Sequence, residues 1–138
     1  MNAYLDTSIL LRLLLGQPHP LNEWKDYENR VGSVLVEVES LRTLDRLRLT
    51  GEITDSQCQE YRGALYEFLE TMELVELSPA VLRRAGGSFT SAIGTLDAIH
   101  LSTALAWQDE RAVPILVATH DLTFGKAARA LGFKIAGI

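Results

Sequence analysis

Four carboxylates stand where a folded α/β chain can gather them: Asp6, Glu39, Asp97 and Asp121. Asp6 directly follows the apolar run Ala3-Tyr4-Leu5, and Asp121 lies just past Ile115-Leu116-Val117-Ala118. Asp97 falls in the first turn of the helical segment leading into that second run. Glu39 falls within a helical segment after Val31. Taken singly, each acid has a plain structural use. Asp6 and Asp121 can cap the helices that follow them, Asp97 suits the positive end of a helix, and Glu39 can pair with Arg42 or Thr43 one turn on. Taken together they repel. Two carboxylates about 4 Å apart oppose each other by about 4 kcal/mol at an effective dielectric of 20, so one takes up a proton unless a cation intervenes. Oxygen-only ligands suit Mg2+ or Mn2+. Such an ion lowers the pKa of bound water and neutralises charge on a phosphodiester under attack. Acids without a histidine or cysteine cluster therefore point to phosphate-ester hydrolysis.

Short apolar runs alternate with helical patterns, and these elements must bring the acids together. The spacing predicts a buried strand at Ala3 to Leu5 and a helix from Thr7 to Leu15, stopped by Gly16 and Pro18. Val31 to Leu35 reads as a strand or as the lead-in to a helix reaching Leu49. Thr54 to Met72 reads as a helix capped by Thr54, and Leu74 to Leu77 as a short strand. Ser78-Pro79 opens another helix in the cap-then-proline order. Helices over Thr95 to Asp109 and Leu122 to Leu131 flank the strand Ile115 to Ala118, and Phe133 to Ala136 forms a final edge strand. Alternation of this kind implies a parallel sheet covered on both faces. Right-handed crossovers then bring the strands' carboxyl ends to one edge. On the helix after Val31, Glu39, Arg42, Thr43 and Arg46 form a polar stripe, and Val34, Val38, Leu41, Leu44 and Leu47 an opposing apolar one.

With 138 residues and no linker or repeat, the chain is expected to be a single domain, 1–138. Cys58 is the lone cysteine, which agrees with a reducing compartment and suits a small apolar filler. The run Ile9 to Leu15 is too short to span a bilayer and contains Arg12, so a cytoplasmic location without membrane contact is expected. A net charge of -5 argues against a general nucleic-acid coat protein but leaves room for an acidic metal site with a local basic rim.

Tyr4-Leu5-Asp6-Thr7-Ser8-Ile9-Leu10, Ser33 through Glu39 to Leu41-Arg42, Thr95-Leu96-Asp97-Ala98-Ile99-His100-Leu101-Ser102-Thr103-Ala104 and Thr119-His120-Asp121 occur in that order. Ala127 to Phe133 close the pattern. It resembles PIN-domain ribonucleases and, within them, the VapC toxins of bacterial toxin–antitoxin pairs. The resemblance spans nearly the whole chain. It implies a three-layer α/β/α sandwich with a mainly parallel central sheet, and an endoribonuclease using Mg2+ or Mn2+. It also implies an RNA substrate, a cognate antitoxin protein and a homodimer. By position, Asp6 and Asp97 match the family's principal metal ligands, Glu39 the glutamate that completes the acidic site, and Asp121 a more variable fourth acid. Glu37, two residues earlier, would replace Glu39 if the register slipped. Thr7, Ser8 and Thr119 match small hydroxyl positions beside the acids, with capping or packing as their default use.

His19, His100 and His120 lack zinc-ligand spacing. His100, one turn after Asp97, is expected to be packed or hydrogen-bonded, and His120 is the better placed of the two to touch substrate. Arg42, Arg46, Lys126 and Arg129 offer a basic rim, with solvated helix charge as the plainer reading. Trp24 and Trp107 read first as packing residues. Two other divalent-ion designs fit poorly. A receiver domain needs an aspartate after Leu74 to Leu77, and a haloacid-dehalogenase-type phosphatase needs one where Ser8 stands. A PIN-like chain that has lost catalysis and only binds is the remaining alternative.

Overall fold

The computed structural model describes residues 1–138. Five parallel strands, β1 (Asn2–Leu5), β2 (Asn29–Ser33), β3 (Glu73–Val75), β4 (Ile115–Ala118) and β5 (Ile135–Ala136), form one sheet in the order β3-β2-β1-β4-β5. Six helices connect and cover them: α1 (Thr7–Leu14), α2 (Leu35–Leu49), α3 (Asp55–Leu69), α4 (Pro79–Ala85), α5 (Thr95–Arg111) and α6 (Leu122–Ala130). A 3-10 turn occupies Asn22–Asp26.

Strand alternation sorts the core into two halves. Tyr4, Ile115 and Val117 face one side and pack with Leu101, Ala104 and Trp107 of α5 and Phe124, Ala127 and Ala128 of α6. Ala3, Leu5, Leu116 and Ala118 face the other side, against Ile9 and Leu10 of α1, Val36 of α2, and Leu65 and Leu69 of α3. The sheet is thus the middle layer of an α/β/α sandwich, as the alternating pattern predicts. Trp107 and Cys58 are both buried, the packing roles expected of them. No helix is long and apolar enough to cross a membrane.

Helix boundaries follow local chemistry. Thr54 accepts from the Gln57 amide while the Gln57 side chain returns to the Thr54 amide, closing a capping box on α3. Ser78 caps α4 with Pro79 in its first turn. The segment left open between strand and helix is both: β2 ends at Ser33 and α2 begins at Leu35.

The α2 stripe differs from expectation. Val36, Ser40 and Leu44 form the buried line, whereas Val38 is 50% exposed. Ser40 is polar, so an apolar pattern passes over it and shifts the inferred face. Arg42 pairs with Asp45 rather than Glu39, and Thr43 Oγ1 donates to the Glu39 carbonyl.

The strand order places the functional edge. From β1 the chain runs outward to β2 and β3, then returns to β4 on the opposite side of β1. The boundary between β1 and β4 is therefore a topological switch point, where helices diverge to opposite faces and leave a crevice at the strands' carboxyl ends. Register pairs Leu5 with Ala118, so Asp6 and the Thr119–Asp121 segment emerge side by side.

Candidate active site

Asp6 is fixed as soon as it leaves β1. Its Oδ1 accepts from the Thr7 amide at 2.8 Å, which caps α1. Its Oδ2 accepts from Ser8 Oγ and Thr119 Oγ1, each at 2.8 Å. The Ser8 hydroxyl also accepts from the His120 amide at 2.9 Å, and Thr119 Oγ1 from the Asp121 amide at 3.0 Å. Default packing roles for Ser8 and Thr119 are thereby corrected: their hydroxyls tie the β1 and β4 ends together and hold one carboxylate. Only 9% of Asp6 is exposed. Gly137 presses on this junction from β5's end, with φ of +96° and a backbone so close to the Thr119 carbonyl that a Cβ would lie 2.5 Å from it.

Glu39 reaches the same edge from α2. Its Oε1 accepts from Thr7 Oγ1 at 2.9 Å and lies 2.6 Å from His100 Nε2. The Thr7 hydroxyl thus also serves an acid. Glu37, the other register, stands beside Tyr66 of α3 and raises that phenol's pKa. Asp121 caps α6 through Oδ1, which accepts from the Thr123 and Phe124 amides at 2.9 and 3.1 Å.

Asp97, in the first turn of α5, accepts no hydrogen bond from another residue. Burial and the nearby charges of Asp121, Asp6 and Glu39 hold its carboxyl above the ordinary range, against the opposing pull of His100. Carboxylates from four distant parts of the chain therefore share one electrostatic neighbourhood, and capping explains only two of them. His100, a turn further along α5, is 1% exposed. Burial alone would depress its imidazole pKa, but the hydrogen bond and charge of Glu39, with Asp6 and Asp97 behind it, outweigh burial and raise it. Its other nitrogen meets the Tyr4 hydroxyl at 2.6 Å. The sequence marks His100 by its i+3 spacing from Asp97. Tyr4 carries a weaker signal, a buried hydroxyl that needs a partner.

His120 lines the cleft that holds Asp121, with its ring tied to the backbone. Its Nδ1 meets the Gly137 carbonyl at 2.8 Å, and its Nε2 is buried without a partner. Trp24 stacks on Phe68 with Lys25 and Arg30 nearby, as a packing residue would. Two clefts adjoin the helices that carry the acids. One of about 450 Å³, including Phe89, Ile93, Thr95 and Ala98 in its wall, opens at the start of α5. The other, of about 380 Å³, includes Ser8, Arg12, Thr43 and Asp121.

The donor set suits a hard divalent cation. It is all oxygen, and Asp97 bears repulsion that positive charge relieves. As the side chains stand, no three of them converge at ligand spacing. Mg2+ is usually held by only one or two carboxylates and keeps several waters, so the residues fit such an ion.

A PIN-domain profile matches residues 3–130, and the chain belongs to the PIN domain family. PIN domains are generally nucleases that use divalent metals. Among solved structures, a toxin–antitoxin complex from Klebsiella pneumoniae is similar at 14% identity and a TM-score of 0.69, with 98% of this chain and 96% of that one covered. VapBC2 from Rickettsia felis, bound to a DNA fragment from its promoter, is similar at 16% identity and a TM-score of 0.67, covering 99% and 98%. PAE2754 from Pyrobaculum aerophilum follows at 15% and 0.62, covering 98% and 89%. At these identities the likeness is one of fold. No curated protein sequence matches the chain.

Proposed function

We propose that this protein is a metal-dependent endoribonuclease and the toxin of a type II toxin–antitoxin pair. The observation that carries the reading is the convergence at one sheet edge of Asp6, Glu39 and Asp121 with Asp97, whose carboxyl is pushed up by burial and these neighbours. In this reading Asp6 and Asp97 lead an acidic set, with Glu39 and Asp121, that holds Mg2+ or Mn2+ directly or through the ion's waters; when bound, the ion supplies Lewis-acid stabilisation of the phosphodiester and acidifies water. Asp6 is oriented by Thr7, Ser8 and Thr119 and contributes fixed negative charge. Asp97, free of hydrogen bonds to other residues, can turn towards the ion. Asp121 keeps Oδ2 available while Oδ1 caps α6. The cleft lined by Ser8, Arg12, Thr43 and Asp121 leaves room for RNA beside the acids.

Fold neighbours that are themselves toxin–antitoxin complexes support an antitoxin partner. A homodimer, by resemblance, and a cytoplasmic location, from the short apolar runs, complete the proposal. The lack of a preassembled three-ligand cluster favours a second reading, a PIN-like binder without catalysis.

Cleavage of RNA by purified protein with Mn2+ separates the two. Asp6→Asn and Asp97→Asn should each reduce cleavage by at least about a hundredfold while leaving the fold intact, since loss of the ion forfeits several kcal/mol of charge stabilisation. Undiminished cleavage by folded Asp97→Asn protein would refute the nuclease site. The toxin role is read by growth arrest on expression, relieved by co-expression of a small neighbouring gene.

A further inference from the structure

Glu39 is gripped through one of its two oxygens. Oε1 takes both the Thr7 hydroxyl and the His100 imidazole, and no hydrogen bond engages Oε2. An ionised carboxylate offers only acceptors, so His100 Nε2 carries the hydrogen between them. Behind it, Nδ1 meets the hydroxyl of Tyr4, which is fully buried in the central strand β1. The imidazole also stands edge-on to the Tyr4 ring, with centroids 5.9 Å apart, and to Phe124, at 6.2 Å. Its plane and position are therefore set from three sides.

A buried polar chain of this kind is an expensive way to fill space, because an aliphatic side chain would pack without hydroxyl or imidazole to desolvate. What it provides is direction: a rigid connection from the middle of the sheet to one oxygen of an acid at the sheet's edge. We propose that Tyr4 and His100 are positioning residues, which lock Oε1 of Glu39 and so present Oε2 to the divalent ion of the endoribonuclease reading, on which this inference rests. A glutamate left free would lose rotamer freedom on binding the ion; here that ordering is already done, as when second-layer hydrogen bonds hold metal ligands.

Calorimetric titration of Mn2+ into RNA-free protein tests this without measuring turnover. His100→Leu should weaken Mn2+ binding by about ten- to a hundredfold. Tyr4→Phe, which keeps the ring and removes the hydroxyl that holds Nδ1, should weaken it by about fivefold, the worth of one hydrogen bond. His100→Gln, whose amide can donate to Oε1, should recover most of the loss. In a Glu39→Gln background neither His100→Leu nor Tyr4→Phe should weaken binding further, because no carboxylate remains to be positioned. A purely structural role would instead lower the melting temperature in both backgrounds and leave Mn2+ affinity unchanged. Wild-type affinity in folded His100→Leu protein, or in Tyr4→Phe where His100→Leu does not fold, overturns the proposal. So does an equal loss in the Glu39→Gln background. Failure of the wild type to bind Mn2+ at all overturns the nuclease reading beneath it, and the two failures are thereby distinct.

Discussion

Asp97 carries a charge that the folded chain holds at a disadvantage. Burial and the carboxylates of Asp121, Asp6 and Glu39 raise its pKa above the unfolded value, so the native state binds its proton more tightly than the unfolded chain does. Stability from this group is full at low pH and falls as pH rises from the unfolded value through the native one. Asp97→Asn should therefore stabilise metal-free protein at neutral pH by about 0.5 kcal/mol, the scale of charge interactions near a surface. The gain should vanish near pH 3.5, where carboxyls are largely protonated in either state. Thermal unfolding in EDTA at both pH values reads this; a variant less stable than wild type at neutral pH would contradict it. The acids themselves were legible in the chain, because strands end just before Asp6 and Asp121. Their hydroxyl partners, Thr7, Ser8 and Thr119, are marked only by the family resemblance, with no sign of which acid each one holds. Thr119 and Asp6 are 113 residues apart, and only the β1–β4 register makes them neighbours.

Helix α2 shows where periodicity misleads and how the error can be tested. The apolar stripe read from sequence, Val34, Val38, Leu41, Leu44 and Leu47, shares only Leu44 with the buried line, since the helix starts at Leu35 and buries Val36, Ser40 and Leu44. Ser40 is fully buried although polar, and Val38 is half exposed although apolar, so hydropathy points about half a face away from the packed side. Val36→Ala should cost about 2 kcal/mol, as expected for removing methyl groups from a filled core. Val38→Ala should change stability by less than about 0.5 kcal/mol. Urea unfolding of both variants decides the matter. The reverse ranking would rotate α2 and carry Glu39, three residues beyond Val36, away from Thr7 and His100. By contrast, the starts of α3 and α4 were readable because a capping box and a Ser-Pro pair act within one turn, independently of tertiary contacts.

At the scale of the whole molecule, the site exists only while the sheet does. Residues 6, 39, 97 and 121 cap or sit in α1, α2, α5 and α6, and they meet because strand order reverses between β1 and β4. The fold class was legible because alternating strands and helices admit few topologies, whereas the relative placement of four acids depends on every element between them. Unfolding scatters the carboxylates, so an ion that they hold together binds the native state and not the unfolded chain. Mass action then requires Mn2+ to stabilise the protein, by about 2.7 kcal/mol at a free concentration of 100 times Kd. The effect should grow logarithmically with Mn2+, and the Asp6→Asn/Asp97→Asn double variant should lose it. Asp97→Asn alone should be no less stable than wild type in EDTA, since it removes a like charge from a crowded edge without breaking a hydrogen bond to another residue. A melting temperature indifferent to Mn2+ would mean that folding brings these acids together for some purpose other than holding an ion.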